Sequence, residues 1–209
     1  RRPHGSWLTR LHPPAQKPMP TSTAATSTIL SSLLLAGLLG LTPALAAQWS
    51  EHHKLLPDDG QPGNVFGSAV STDGTLVAVG APRADELGID SGSAYVFGAQ
   101  SGSQLLQLIP VDGAPGDQFG FSIAIDGPYV IVGAPLADGA DLNSGAAYVF
   151  DATTGLQLFE LAPVAPAAGG QFGYAVAIDG GLVVVGTLDG AYLFDAATGQ
   201  QLEELIPDG

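Results

Sequence analysis

The chain has 209 residues, no cysteine and a formal net charge of −14, and these values limit its partners and its chemistry. All 20 acidic residues follow residue 50, where only Lys54 and Arg83 oppose them, so residues 48–209 carry a formal charge of −18. Such an acidic surface repels nucleic acid and anionic membranes, so we expect no nucleic-acid partner and consider anionic membranes a poor one. The absence of cysteine excludes disulfides and thiolate chemistry.

The N-terminal region has the pattern of a secretory signal. Residues 29–41 form an apolar run that is too short to cross a bilayer comfortably, and an A-x-A cleavage pattern follows at residues 44–46. The pattern predicts a signal peptide over 19–47, with residues 1–18 as an upstream segment that is either not translated or disordered. A membrane anchor is the alternative. The signal predicts a secreted or cell-surface protein that does not insert into the membrane after cleavage.

Residues 48–209 contain a sequence repeat with a period of 53 residues. A period in this range is typical of stacked supersecondary units, and it predicts repeats near 58–110, 111–163 and 164–207. Three landmarks carry the repeat. Phe-Gly occurs at Phe66, Phe119 and Phe172, and an aromatic pair begins at Tyr95, Tyr148 and Tyr192. Gly-Ala-Pro occurs at Gly80 and Gly133, and only its glycine, Gly186, is present in the third copy.

Each repeat has room for four strands. In the first, bulky side chains from Phe119 to Ile125 alternate with small ones, as expected for sheets packed face to face. An Asp-Gly turn leads to an apolar second strand that Gly-Ala-Pro ends, and the third strand carries the aromatic pair. The fourth strand is polar and suits an outer edge. This pattern predicts an all-β fold, a β-propeller of four-stranded antiparallel blades; a β-solenoid, with shorter coils and no hairpin turns, is the alternative.

The phase of the repeat predicts an incomplete ring. Leu56-Pro57 precedes Ile109-Pro110 by 53 residues, so residues 49–56 align with a fourth strand and are expected to form an orphan outer strand. About three blades follow, whereas closed propellers have roughly 4–8. We therefore expect three blades of an open ring, and a chain that is a fragment of a longer protein.

The Phe-Gly and Gly-Ala-Pro landmarks resemble the signature of the FG-GAP repeat proteins, which include the integrin α-subunit head and many secreted bacterial proteins. The resemblance covers residues 49–209 and is closest to the bacterial proteins. It is clearest in the second repeat, at residues 114–120, 126–127, 132–135 and 144–150. The resemblance implies an extracellular β-propeller that is used for protein or surface interactions.

The calcium site of this family is not expected at its usual place. Calcium-binding FG-GAP blades carry several acidic residues between Phe-Gly and Gly-Ala-Pro, whereas each repeat here has a single carboxylate in a short turn, at Asp73, Asp126 and Asp179. One carboxylate cannot supply the roughly six to eight oxygen ligands of calcium. The loops after Gly-Ala-Pro are the remaining candidates for a calcium site, with Asp85, Asp90, Asp138 and Asp141, and a solvated turn-rich loop is the alternative.

No catalytic or cofactor-binding residue is predicted. The two histidines of residues 48–209, His52 and His53, are adjacent, and no set of nucleophile, base and orienting residue can be assembled around them. The leading prediction is therefore a non-catalytic extracellular or cell-surface module that binds a protein or a surface ligand. The alternatives are the propeller portion of a secreted enzyme, quinoprotein-like or a hydrolase, with its catalytic residues outside this segment, and an acidic structural spacer.

Overall fold

The computed structural model describes residues 51–139, 141–165 and 167–205. The predicted signal peptide (19–47) and the upstream segment (1–18) lie outside these residues. Within the described part, the chain is all-β and no helix is long and apolar enough to cross a membrane. The strands are β1 (Val70–Thr72), β2 (Leu76–Ala81), β3 (Ser93–Gly98), β4 (Gln104–Leu108), β5 (Ser122–Asp126), β6 (Tyr129–Ala134), β7 (Ala146–Asp151), β8 (Gln157–Leu161), β9 (Ala175–Asp179), β10 (Leu182–Gly186), β11 (Ala191–Asp195) and β12 (Gln201–Leu205).

The strands form three separate four-stranded antiparallel sheets, each with its strands in chain order. Strands β1–β4 make blade one, β5–β8 make blade two and β9–β12 make blade three, and the three blades do not close a ring. Short Asp-Gly turns join the first two strands of each blade, and Gly74, Gly127 and Gly180 adopt positive φ there, as the sequence predicts. The structure thus confirms an incomplete β-propeller.

Each blade has two faces that differ in the size of their side chains. We call the face with the aromatic pair the bulky face; in blade two it carries Ile123, Val132 and Tyr148. We call the opposite face the shallow face; in blade two its paired residues are Ala124, Ile131 and Val149. Small and branched side chains on one face leave room for bulky ones on the next blade.

The core lies between the blades, where a shallow face always meets a bulky one. Ala78 and Val96 of blade one pack with the bulky face of blade two. Ala124 and Val149 of blade two pack in the same way with the bulky face of blade three, which includes Phe172. Because both interfaces use the same pair of faces, the stacking has a direction along the chain.

The first strand of each blade begins later than the sequence pattern predicts. Strand β5 starts at Ser122, and the preceding Phe119-Gly120 lies in a loop where Gln118 and Gly120 have φ of 58° and 89°. These positive φ values reverse the chain, so Phe119 and Phe121 do not share one face. Phe119 packs edge-on against Tyr148, with ring centroids 5.6 Å apart, whereas Phe121 lies 5.2 Å from Tyr174 of blade three. The predicted alternation is therefore wrong at Phe-Gly.

The predicted outer strand over 49–56 also differs from the structure, because residues 51–57 form no strand. An orphan outer strand pairs with three inner strands of another blade in a closed ring, and each of the three described blades already has its own fourth strand. The segment lies along blade one instead. His53 Nε2 is 2.9 Å from the carbonyl oxygen of Gln100, and Leu55 packs with Phe66 against the core of this blade.

Candidate functional site

The strand order places the connections between blades and the loop between the second and third strand of each blade on one edge. The β2–β3, β6–β7 and β10–β11 loops lie there together with the connections between blades, and we call this side the loop edge. The opposite side, which we call the turn edge, carries the short Asp-Gly turns and the turns before β4, β8 and β12. Binding residues are commonly found on loops that a rigid scaffold positions, so the loop edge is the candidate functional surface.

Each blade has a hollow at the loop edge beside the tyrosine of its third strand. The hollow beside Tyr95 has a volume of about 330 Å³, the one beside Tyr148 about 70 Å³ and the one beside Tyr192 about 120 Å³. Sites for drug-sized ligands usually measure about 300–1,000 Å³. The hollows of blades two and three are therefore sized for a single small group, such as the end of a side chain.

The hollow of blade two is lined by four carboxylates and by no basic side chain. Asp112, Asp138 and Glu160 lie exposed around it, and Asp117 is buried, with 7% of its surface exposed. Asp117 Oδ2 accepts a hydrogen bond of 2.7 Å from the backbone N–H of Ala114, which fixes its position. The hollow therefore concentrates negative charge in a small space.

Two carboxylates of this hollow, Asp117 and Glu160, have raised pKa values. Burial raises the pKa of Asp117, and the charges of Asp138 and Asp112 raise it further, while the bond from Ala114 opposes them. Partial removal from water raises the pKa of Glu160, and the nearby Asp112 adds to this effect. Burial also raises the pKa of Tyr148. No basic side chain lines the hollow to offset these effects, and a bound cationic group would favour the charged forms of the carboxylates.

The hollow of blade one differs because its lining is mainly apolar and contains no acidic side chain. Its lining includes Leu56, Pro62 and Phe66. Beside it, Gln107 occupies the place that Glu160 has in blade two, and its Nε2 donates a 2.8 Å hydrogen bond to Asp59 Oδ2.

Two carboxylates are nevertheless held close together in blade one. The side-chain hydrogen bond with Asp59, together with burial and the charge of Asp59, raises the pKa of Glu86. In blade two, Gly139 stands at the position of Glu86 in the repeat, so that this place is left open.

The hollow of blade three holds fewer carboxylates. The hydroxyl of Tyr192 donates a 3.0 Å hydrogen bond to Glu204 Oε1, and Asp189 contributes to the lining. Ala165 stands where blade two has Asp112. Among the three hollows, the one in blade two has the most acidic lining.

Two of the aspartates predicted as calcium ligands, Asp85 and Asp138, accept hydrogen bonds from the backbone of their own loops. Asp85 Oδ1 accepts a hydrogen bond of 2.9 Å from the backbone N–H of Asp90, and Asp138 Oδ1 accepts one of 2.8 Å from Asn143. Asp141 lies in the second loop and accepts a hydrogen bond from Ser144 through its backbone oxygen. In the described residues, no group of three or more histidine and acidic side chains is arranged to hold a metal ion. Calcium binding by these loops stays a prediction.

The sequence reasoning did not identify Asp112, Asp117 and Glu160 as site residues. A signal was present, since Asp112 follows Asp59 by 53 residues and Glu160 follows Gln107 by the same interval. Both pairs keep a fixed distance from the tyrosine of the third strand, so a comparison of the repeats would have placed them in one hollow. His52 and His53 lie elsewhere, with ring centroids 6.4 Å apart.

Comparisons with known proteins agree with this architecture. The model of the FG-GAP repeat matches residues 49–97 and 103–150, which contain two Phe-Gly and two Gly-Ala-Pro landmarks. No curated protein matches the chain significantly. Among solved structures, the computationally designed Ika4 protein superposes with a TM-score of 0.52 and 21% identity, covering 78% of this chain and 81% of that one, which supports the fold alone. The matches assign the repeats of residues 49–150 to the FG-GAP repeat family.

Proposed function

We propose that residues 48–209 form an interaction module of a secreted or cell-surface protein, and that its loop edge binds a basic protein surface. The observation that carries the proposal is the hollow of blade two, where four carboxylates and no basic residue surround a space of about 70 Å³. The FG-GAP repeats support the extracellular setting, since such repeats are typical of extracellular proteins. The signal-peptide pattern of residues 19–47 supports it as well.

The chemistry of the hollow favours the end of a lysine or arginine side chain as its ligand. A cationic group would lower the pKa of Asp117 and Glu160 by stabilising their charged forms. The small volume favours one side chain of a larger partner over a free ligand that would need to be enclosed. The formal charge of −18 on residues 48–209 would add attraction at long range, which is screened by salt.

We further propose that this segment is not catalytic. His53 Nε2 is engaged with the backbone of Gln100, and the two ring planes of His52 and His53 are tilted by 50°. Neither histidine lines a hollow of the loop edge. The aromatic residues of the bulky faces support packing, since Phe119 and Phe172 are buried against their own blades.

The proposal is tested by binding of the purified chain to immobilised poly-lysine, with immobilised heparin as the anionic counterpart, measured by surface plasmon resonance. We expect binding to poly-lysine that weakens as salt rises, and no binding to heparin. The double variant Asp112→Asn/Glu160→Gln should reduce the affinity by about tenfold or more, since hydrogen bonds to charged groups contribute on the order of 1.5–3 kcal/mol.

The control variant Asp179→Asn/Glu51→Gln removes the same two charges from exposed positions outside the hollow. It should reduce the affinity only slightly, because it changes the overall charge and leaves the hollow intact. Equal losses in the two double variants would mean that poly-lysine responds to net charge alone, and the proposed binding site would be wrong.

A further inference from the structure

The two interfaces between blades leave one face of each kind uncovered among the described blades. The shallow face of blade one is covered by blade two, and the shallow face of blade two is covered by blade three. The shallow face of blade three and the bulky face of blade one have no neighbouring blade in the described residues, although Phe66 and Leu55 cover the aromatic pair of blade one. We propose that these two faces bind each other between two copies of this chain, head to tail.

The shallow face of blade three has the shape of an interface but is exposed. Leu205 is 44% exposed, whereas Leu161 at the same position of blade two is 1% exposed. Ala177 is also exposed, while the equivalent Ala124 is buried. The face keeps small or branched side chains at its centre, where Ala177 pairs with Val184 across the sheet. It therefore offers the same surface that blade two offers to blade three.

The bulky face of blade one is open in the same way near its first strand. Val70 is 66% exposed, whereas Ile123 at the same position of blade two is 7% exposed because blade one covers it. Thr72 is likewise exposed, and Val77 is partly exposed. An apolar surface that is buried in one repeat and exposed in its equivalent is a candidate interface.

The glycines of the family signature give the most specific evidence. At the internal interfaces a Cβ atom on Gly80 would collide with the carbonyl oxygen of Gly120, and one on Gly133 would collide with that of Gly173. The next pair in this series would be Gly186 and Gly67. A Cβ atom on Gly67 would meet nothing within 4 Å, and one on Gly186 would meet only Ala175 of its own blade. The space beside each of these two glycines is therefore free, and the backbone of the other copy can occupy it.

Docking requires one displacement. His53 lies against Gly102 of blade one. At the equivalent place in blade two, Leu106 of blade one lies against Gly155. Residues 51–55 thus occupy the place that β12 of the second copy would take. Four of these five residues are exposed, so displacing the segment would mainly cost the packing of Leu55 and the hydrogen bond between His53 and Gln100.

The resulting contact is heterologous, and such contacts close into rings when the rotation permits. Two copies would bring together six blades, which lies within the roughly 4–8 blades of closed propellers. Both copies are strongly acidic, so their repulsion opposes association. The association should therefore become tighter as salt rises, in contrast to the binding of poly-lysine.

The test is the mass of the full chain in solution, measured by sedimentation velocity over a range of concentrations at low and high salt. We expect a concentration-dependent rise above the monomer mass of 21.1 kDa. Gly186→Ala should weaken the association at least tenfold, because its methyl group would meet the carbonyl region of Gly67 in the other copy. Ala177→Lys should weaken it as well, by placing an ammonium group on the shallow face.

Leu202→Lys is the matched control, since Leu202 is 53% exposed and its equivalent Leu158 is also exposed in blade two, outside the internal interface. It should leave the association unchanged. Circular dichroism of each variant checks that the blades remain folded, and Ala177→Lys keeps the test valid if Gly186→Ala does not fold. A chain that stays monomeric at all concentrations, or an association that both face variants leave unchanged, overturns the proposal.

Discussion

Gly80 of blade one lies against the carbonyl oxygen of Gly120 in blade two, so closely that a single methyl group on Gly80 would overlap that oxygen. Gly120 is the glycine of Phe-Gly, and its N–H donates a 3.1 Å hydrogen bond to Gly133 within its own blade. Gly80 and Gly133 both belong to Gly-Ala-Pro. The two halves of the family signature therefore meet twice, once within a blade and once between neighbouring blades.

Adding one methyl group at this contact should destabilise the stack. In Gly133→Ala the new Cβ would collide with the backbone of Gly173, which cannot rotate away as a side chain would. We expect a loss of about 1–3 kcal/mol in the free energy of unfolding, the usual range for overpacking, measured by urea denaturation. Gly186→Ala, measured at a concentration at which the chain is monomeric, is the control at the equivalent position of blade three, where the only nearby atoms of the same chain belong to Ala175. A similar loss in both variants would contradict the role given to the contact between blades.

The phenylalanine of Phe-Gly is expected to contribute far more to stability than the next aromatic residue. Phe119 is fully buried and packs edge-on against Tyr148 and Phe150. Phe119→Ala should lower the free energy of unfolding by about 3–5 kcal/mol through lost burial and a cavity. Phe121 is only partly buried and contacts Tyr174, so Phe121→Ala should cost clearly less. A larger loss of stability in Phe121→Ala than in Phe119→Ala, in thermal or urea unfolding, would contradict the packing assigned to these two residues.

The acidic hollow should make blade two more stable as pH falls from neutrality. The pKa values of Asp117 and Glu160 are raised in the folded state. At a pH between the unfolded-state pKa and the folded-state pKa of either group, the folded state therefore binds more protons than the unfolded state. Stability from these groups is complete below the unfolded pKa and is lost as pH rises through the folded pKa.

Glu160→Gln removes one of these titrating groups and copies Gln107 of blade one. The variant should gain stability relative to the parent at pH 7, and the gain should shrink toward the ordinary pKa of a glutamate. Urea denaturation at pH 7 and at pH 5 gives the comparison. A gain that grows as pH falls would have the wrong sign. The lowered pKa of Asp73 acts in the opposite direction in both proteins and cancels in the comparison.

The Asp-Gly turn of blade one depends on a carboxylate that accepts several hydrogen bonds. Asp73 Oδ1 accepts bonds of 2.8 Å from the backbone N–H groups of both Thr75 and Leu76, and one of 2.7 Å from the Thr75 hydroxyl. Asp73→Ala should cost about 1 kcal/mol or somewhat more, the typical net value of such bonds. Asp73→Asn keeps an acceptor oxygen and should recover part of this loss. If the asparagine and alanine variants unfold alike in urea, the hydrogen bonds do not hold the turn.

The sequence predicted the blades well because turns and apolar strands have strong local signals. The second, third and fourth strands, such as β6, β7 and β8, lie where the hydrophobic pattern places them. The first strand was predicted to start too early, because Phe119 and Phe121 mimic the alternation of a strand while Gln118 and Gly120 reverse the chain. Positive φ at a non-glycine residue leaves no mark in a hydrophobic pattern.

The candidate site was harder to predict than the fold. Asp112, Asp117 and Glu160 are far apart in the chain, and an acidic protein offers many other carboxylates. Only the packing of a connection between blades against the third and fourth strands brings them to Tyr148. Conversely, Asp85 and Asp138 are prominent in the sequence, and the structure uses their side chains to close loops.

The central claim is that the loop edge of blade two binds a cationic side chain. The most direct measurement is an NMR titration of the uniformly ¹⁵N-labelled chain with a short lysine peptide at low salt. The account predicts that amide shifts concentrate around the hollow, at Ala114, Asp117 and Gly139, and that they disappear in Asp112→Asn/Glu160→Gln. Shifts that are largest at the turn edge, near Gly74, Gly127 and Gly180, or that persist in the double variant, would contradict it.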